Sequence, residues 1–165
     1  MQAARAAGAG RVILIEPQAR RREFARAVGA DVVIDPREVG DLAAAVNTAL
    51  GQDGADVVFE CAGIAATINQ SVALARRGGV VSLVGVANQA AEIQPAQWLI
   101  KEVRLTSSLA YQREEFAMTQ ALVADGRIRC QPLHTSTVGL ADLPKAFAGL
   151  ASNPEEIKIL VDPRI

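Results

Sequence analysis

The chain has 165 residues, half of them apolar, with 17 Lys and Arg against 18 Asp and Glu. That length suits a single domain with a buried core, and a net charge of −1 argues against nucleic-acid and acidic-membrane partners, which call for a basic surplus. Two cysteines and one histidine do not complete a Cys/His zinc site, no apolar run approaches the roughly 20 residues that span a bilayer, and the alanine-rich Met1–Arg11 lacks a signal-peptide block, so the expected compartment is cytoplasmic.

In chain order, Met1–Ala7 reads as a helix, and Gly8-Ala9-Gly10 leads from it into the apolar run Arg11–Glu16. Gly8-Ala9-Gly10 looks like the start of a G-x-G-x-x-G phosphate loop, but such a loop follows a strand and opens a helix. Here the order is reversed, so these glycines are read as a helix C-cap and turn. Further β-branched runs follow at Asp31–Ile34, Ala55–Glu60, Gly79–Val84 and Val103–Ser108. The runs 11–16, 55–60 and 79–84 are nearly continuous in apolar residues, as strands covered on both faces should be. Between the runs lie helical segments at Gln18–Val28, Val39–Leu50 and Ala65–Arg76, each followed by a glycine (Gly29, Gly51, Gly78) where a helix stop belongs. Strand–helix–strand alternation predicts an α/β, doubly wound parallel sheet with right-handed crossovers. The tail predicts a helix at Arg113–Ala124, a short run at Leu133–Val138, a helix at Leu140–Ala151 and a strand at Ile157–Val161 bracketed by Pro154 and Pro163.

Ligands of doubly wound sheets bind beyond the carboxyl ends of the strands. Glu16 closes the first run, where a carboxylate can accept hydrogen bonds from a ribose diol and repel a 2′-phosphate, favouring NAD over NADP. The competing reading is a solvated acid at a helix start. Arg21, five residues on, can stack on adenine or hold Glu16, or it can belong with Arg20 and Arg22 to a solvated basic face. Cys61-Ala62-Gly63 and Val84-Gly85-Val86 place small residues after buried strands, which admits a flat ring but also serves any tight turn. Cys61 reads as a small hydrophobe rather than a reactive thiol, and neither His134 nor Cys130 carries partners that suggest catalysis.

This order of motifs resembles the zinc-type alcohol and polyol dehydrogenases of the medium-chain dehydrogenase/reductase superfamily. The matching text is A-x-x-A-G-A-G-R-V-I-L-I-E-P at Ala4–Pro17, then Arg21, then Gly29-Ala30-Asp31-Val32-Val33-Ile34-Asp35. Asp56–Gly63, Gly78–Gly85, Leu105–Tyr111 and Lys158–Pro163 continue it, so the likeness covers essentially the whole chain. The resemblance implies a Rossmann-like sheet without its first strand and Gly-rich loop, with residues 1–130 as the NAD-binding part and 131–165 as a segment returning to an absent catalytic domain. It implies Glu16 on the adenosine ribose, Arg21 at the adenosine end, and Cys61, Ala62 and Gly63 along the cofactor. Val84, Gly85 and Val86 would approach the nicotinamide, with Ser107, Ser108 and Leu109 near its carboxamide. Glu16 departs from the aspartate commoner in this branch.

The implied parent oxidises an alcohol or polyol with NAD, and its zinc belongs to the absent domain, so this chain has no metal ligands and no catalytic residue and is expected to be inert by itself. The family's edge strand near Val103–Ala110 implies a homodimer through sheet continuation. That segment is uncharged after Arg104 and free of proline, as an edge meant for pairing would be. In the strand order 3-2-1-4-5-6, loss of strand 1 leaves the runs ending at Glu16 and Glu60 flanking a gap. Direct closure, a strand from another chain, or retained missing residues would fill it. Two other readings remain: a non-catalytic nucleotide-binding or oligomerisation module, and a methyltransferase, which also uses an acid after its second strand.

Overall fold

The computed structural model describes residues 1–150, 153 and 155–165 of the chain. The chain folds as two compact units, one built from 1–38 and 113–165 and the other from 39–112.

The first unit opens with α1 (Gln2–Ala6), β1 (Ile13–Ile15), α2 (Ala19–Ala27) and β2 (Val32–Ile34). Gly8 has φ of +100° and Arg5 donates to the carbonyls of Ala9 and Gly10, so the glycine pair is the helix stop and turn that its position suggests. Asp31 explains part of the Gly-Ala-Asp spacing. Its carboxylate accepts the Val12 N–H at 2.6 Å and pairs with Arg5, fixing the entry into β1 from two directions. β1 and β2 pair in parallel, Ile13 to Val32 through Ile15 to Ile34. After α6 (Arg113–Ala124), β6 (His134–Val138) pairs in parallel with β7 (Lys158–Val161), and α7 (Leu143–Gly149) lies between them in the chain. The expected helix at Leu140–Ala151 is a 3-10 turn at Leu140–Asp142 continuing into α7, with Pro144 in its first turn. Ala151 and Pro154, assigned from sequence to that helix and to the flank of the last strand, lie outside the described residues.

The second unit holds α3 (Leu42–Leu50), β3 (Ala55–Glu60), α4 (Ala65–Leu74), β4 (Ala75–Leu83), α5 (Pro95–Lys101) and β5 (Arg104–Ser107). Asp41 caps α3 by accepting the Ala44 N–H, and Gly51 ends it in the left-handed region at φ +70°. The sheet order is β3-β4-β5, all parallel. Its core is Val72 of α4 with Ala75 and Val81 of β4, against which Val58, Leu83, Trp98 and Val103 pack.

Three expectations need correction. Gly78 does not stop a helix: α4 ends at Leu74, and Gly78 lies inside β4, which begins well before the predicted Gly79. The register there jumps from Ala55–Ala75 to Val57–Val80, so Arg76–Gly79 bulge out, with Arg76 paired to Asp56. Helix α5 has no counterpart among the expected elements, because its apolar content is a short stretch after a proline. Finally, β3 is not covered on both faces. Val58 packs inward, but Val57 and Phe59 on the other face remain 45% and 55% exposed, because α4 and α5 build the core on the Val58–Val81 side.

The α/β, parallel, Rossmann-like class stands. Among the described residues β1 pairs with β2 in the first unit, and β3 with β4 in the second. Among the described residues no helix is long and apolar enough to cross a membrane. Replacing Val81 with Ala should cost about 2 kcal/mol in denaturant unfolding, whereas Val57→Ala should cost under about 0.5 kcal/mol. Equal losses would show that both faces of the sheet are packed.

Candidate cofactor site

Parallel pairing puts the carboxyl ends of β3, β4 and β5 side by side. Nine predicted site residues follow those ends: Cys61, Ala62 and Gly63 after β3, Val84, Gly85 and Val86 after β4, and Ser107, Ser108 and Leu109 at the end of β5. Backbone bonds continue the sheet past its formal ends. The N–H groups of Val84 and Gly85 both donate to the Glu60 carbonyl at 2.9 Å, and that of Ser108 donates to Leu83 at 2.9 Å.

The two turns touch. Gly63 has φ of +68°, and a Cβ there would lie 2.7 Å from the Val86 carbonyl oxygen. A Cβ on Gly85 would come within 2.3 Å of the Gly63 nitrogen. No other residue type fits either position, because the obstacle is backbone that cannot rotate away. Above this contact the side chains are apolar and open to solvent, with Val86 67% and Leu109 85% exposed. Ala110, next in the chain, holds a left-handed backbone at φ +56°, which side-chain-bearing residues adopt only at a cost.

Cys61 reaches the surface, yet its packed surroundings, and then the Glu60 carboxylate, push the thiol pKa up. The raised pKa keeps it a poor nucleophile at neutral pH, but its exposure departs from the buried small hydrophobe expected from sequence, because it lies in the open turn after β3.

In the other unit, Glu16 follows β1 and is half-buried, with Oε1 accepting the Gln18 N–H at 2.8 Å. Arg21 lies on the face of α2 that lines a cavity of about 440 Å³ together with Leu14, Phe24 and Val28. The arginine that anchors the Glu16 loop is its neighbour Arg22, which donates to the carbonyls of Glu16 at 2.9 Å and Pro17 at 2.7 Å. Arg22 also pairs at 2.8 Å with Asp35, whose side chain is 3% exposed at the end of β2. Arg37 closes the same knot, bonding both Asp35 oxygens and the Pro17 carbonyl. The hydrogen bond from the Arg37 side chain, the Arg37 backbone N–H and the Arg22 charge together hold the Asp35 carboxyl far below the usual carboxylate range, against the opposing effect of burial. Neither Arg22 nor Arg37 stands out in the sequence, since spacing cannot tell which of three consecutive arginines points inward. The Asp35-Pro36-Arg37 order at a strand end is the one signal that points to them.

No group of three or more His, Cys, Asp and Glu side chains that could hold a metal occurs among the described residues.

A sequence profile of zinc-binding dehydrogenases matches residues 1–125. The 2-dehydro-3-deoxy-L-galactonate 5-dehydrogenase of Pseudoalteromonas atlantica is 36% identical over 151 residues, covering 92% of this chain and 44% of that protein. The (R,R)-butanediol dehydrogenase of Bacillus subtilis is 29% identical over 99% of this chain and 46% of its own length. The crystal structure of 2R,3R-butanediol dehydrogenase from B. subtilis superposes with a TM-score of 0.89 at 29% identity, over 98% of this chain and 46% of that one. A zinc-binding dehydrogenase from Sinorhizobium meliloti 1021, bound to NADP, superposes with a TM-score of 0.83 at 35% identity, over 98% of this chain and 48% of that one. The chain thus spans slightly under half the length of the relatives it matches.

Because the folded pKa of Asp35 lies below its unfolded value of about 3.9, the stability it contributes is present above that pH and lost as pH falls toward the folded value. Thermal unfolding of Asp35→Asn should therefore show a lower Tm at pH 7 than the unsubstituted chain and a shallower decline below about pH 4. An unchanged pH profile would show that the Arg22–Asp35–Arg37 knot does not hold this loop.

Proposed function

Since the chain belongs to the zinc-binding dehydrogenase family, within the medium-chain zinc-type alcohol and polyol dehydrogenases, we propose that it is the cofactor-binding part of an NAD-dependent member acting on a small alcohol or polyol. The observation that carries this reading is the shared end of β3, β4 and β5, where glycine-bearing turns present Val84, Val86 and Leu109 as an open apolar surface. A flat nicotinamide ring fits such a surface, and the small residues Ala62 and Gly63 let it approach the backbone. Glu16 suits the opposite end of the cofactor. Its Oε1 is held by the Gln18 N–H, and Oε2 takes no hydrogen bond among the described residues, which leaves an acceptor for a ribose hydroxyl. Arg21 supports the adenosine end by stacking or charge, and Ser107 and Ser108 offer polar groups near the carboxamide.

A bound NAD would supply the hydride acceptor for the alcohol carbon, and zinc in the parent would supply a Lewis acid for the alcohol oxygen. This chain's own residues bind and orient. Residues 1–130 form the cofactor part, 131–165 pack on the catalytic part, and the metal ligands lie outside these 165 residues. Alone, the chain transfers no hydride. The protein works in the cytoplasm as a homodimer, paired through the outer edge of β5, whose residues 104–107 are all exposed and which among the described residues pairs with β4 alone.

The family's NADP-bound structure makes cofactor choice the sharpest test. With the protein expressed from its complete natural coding sequence, NADH should bind more tightly than NADPH, and Glu16→Ala should weaken NADH about tenfold or more. Tighter NADPH binding by the unsubstituted protein overturns the NAD assignment. That coding sequence should also specify a Gly-rich strand-turn and a Cys/His-bearing domain upstream, and their absence would leave a non-catalytic nucleotide-binding or oligomerisation module. Light scattering at micromolar concentration should report a dimer that Leu105→Pro dissociates, since the Ser108 N–H faces β4 and the alternating Leu105 N–H therefore faces the outer edge of β5, while a monomeric unsubstituted protein refutes the pairing.

A further inference from the structure

Glu60 is a buried carboxylate that the cofactor reading does not use. It is 3% exposed and ends β3. Its Oε1 accepts three hydrogen bonds, from the N–H groups of Ala62 and Gly63 at 2.9 Å each and from the Thr67 hydroxyl at 2.7 Å. Its backbone carbonyl accepts the N–H groups of Val84 and Gly85. One residue therefore ties the turn after β3, the turn after β4 and the first turns of α4. The second oxygen, Oε2, is buried without a hydrogen-bond partner. An acceptor left bare in the interior is costly, and an apolar side chain of similar size would avoid that cost if filling space were the only requirement.

We propose that Glu60 is a positioning residue for the cofactor, its side chain holding the 61–63 turn in register with the 84–86 turn so that the two form one surface. The inference rests on the reading of those turns as the nicotinamide face. The geometry demands such a device. Ala62 and Gly63 carry no side chain able to anchor their own turn, and the close passage of Gly63 past Gly85 and Val86 leaves the contact without side-chain interlocking. Free N–H groups at 62 and 63 would turn to solvent, and the surface offered to a flat ring would shift by a fraction of an ångström to an ångström, a displacement large enough to lose productive alignment. Oε1 does this work as an acceptor, so a glutamine should do it nearly as well.

The test compares Glu60→Gln, Glu60→Ala and Thr67→Val in the protein expressed from its complete natural coding sequence, by amide hydrogen exchange and by NADH titration. Glu60→Ala should speed exchange at Ala62 and Gly63 about tenfold or more and raise the NADH Kd by a similar factor, while the Val84 and Gly85 amides, bonded to backbone, stay protected. Glu60→Gln should restore both values to within about threefold of the unsubstituted protein. Thr67→Val, which removes one of the three donors, should shift both in the same direction by less, and it carries the test if Glu60→Ala does not fold. Exchange unchanged in Glu60→Ala or Thr67→Val overturns the proposal. So does faster exchange with an unchanged Kd, which is what a merely structural role would give. An unsubstituted protein that binds no NADH overturns the cofactor reading instead, whatever the exchange rates show.

Discussion

The contact on which this end of the molecule depends is steric: two glycines, Gly63 and Gly85, whose backbones lie too close for any Cβ between them. Parallel pairing of β3 with β4 brings the strand ends to the same level, and the Glu60 carbonyl then takes two N–H groups from the neighbouring turn. β5 joins through the Ser108 N–H. With the three ends levelled, the side chains that follow them necessarily share one surface. That surface is apolar and open.

The unit containing Glu16 reaches order by a different route. Its strands β1 and β2 are three residues each, too short to fix the loops beyond them by ladder bonds alone. Charge does it instead. Asp35, Arg22 and Arg37 converge on the carbonyls of Glu16 and Pro17, so the loop that presents the Glu16 carboxylate is held by its main chain while the carboxylate itself remains available. An ion cluster of this kind is valuable less for net stability than for specifying one geometry, since breaking one member leaves a buried charge without its partner.

Glu60 and Asp35 make an instructive pair. Both are acids at strand ends, both are buried, and both bond backbone N–H groups two residues on. Asp35 is balanced by two arginines, whereas Glu60 is held by neutral donors and keeps one oxygen bare. The first therefore titrates as an ion-paired carboxylate and responds to acid. The second acts through hydrogen-bond geometry, so substitution by its amide is the informative change.

Much of this was legible in the sequence alone. The runs of β-branched residues located β1 to β5, and the helical segments between the first four of them located α2, α3 and α4, because hydrophobic periodicity and turn chemistry are local properties; α5 was not among them. The order of motifs, from Glu16 through Gly29-Ala30-Asp31 to Lys158–Pro163, was enough to indicate the dehydrogenase family and a parallel α/β sheet. Tertiary structure alone decided which side chains serve that plan. Arg20, Arg21 and Arg22 are equivalent as text, and only the packing of α2 beside β2 turns Arg22 inward to Asp35. Gly78 has the look of a helix stop, and only the register of β4 against β3 makes it part of a bulge. Val57, Val58 and Phe59 read as one apolar run, and only the placement of α4 and α5 on one side buries the middle residue and exposes its neighbours. The reason is common to all three cases: period and composition act over neighbouring residues, whereas direction, register and burial are set by groups distant in the chain.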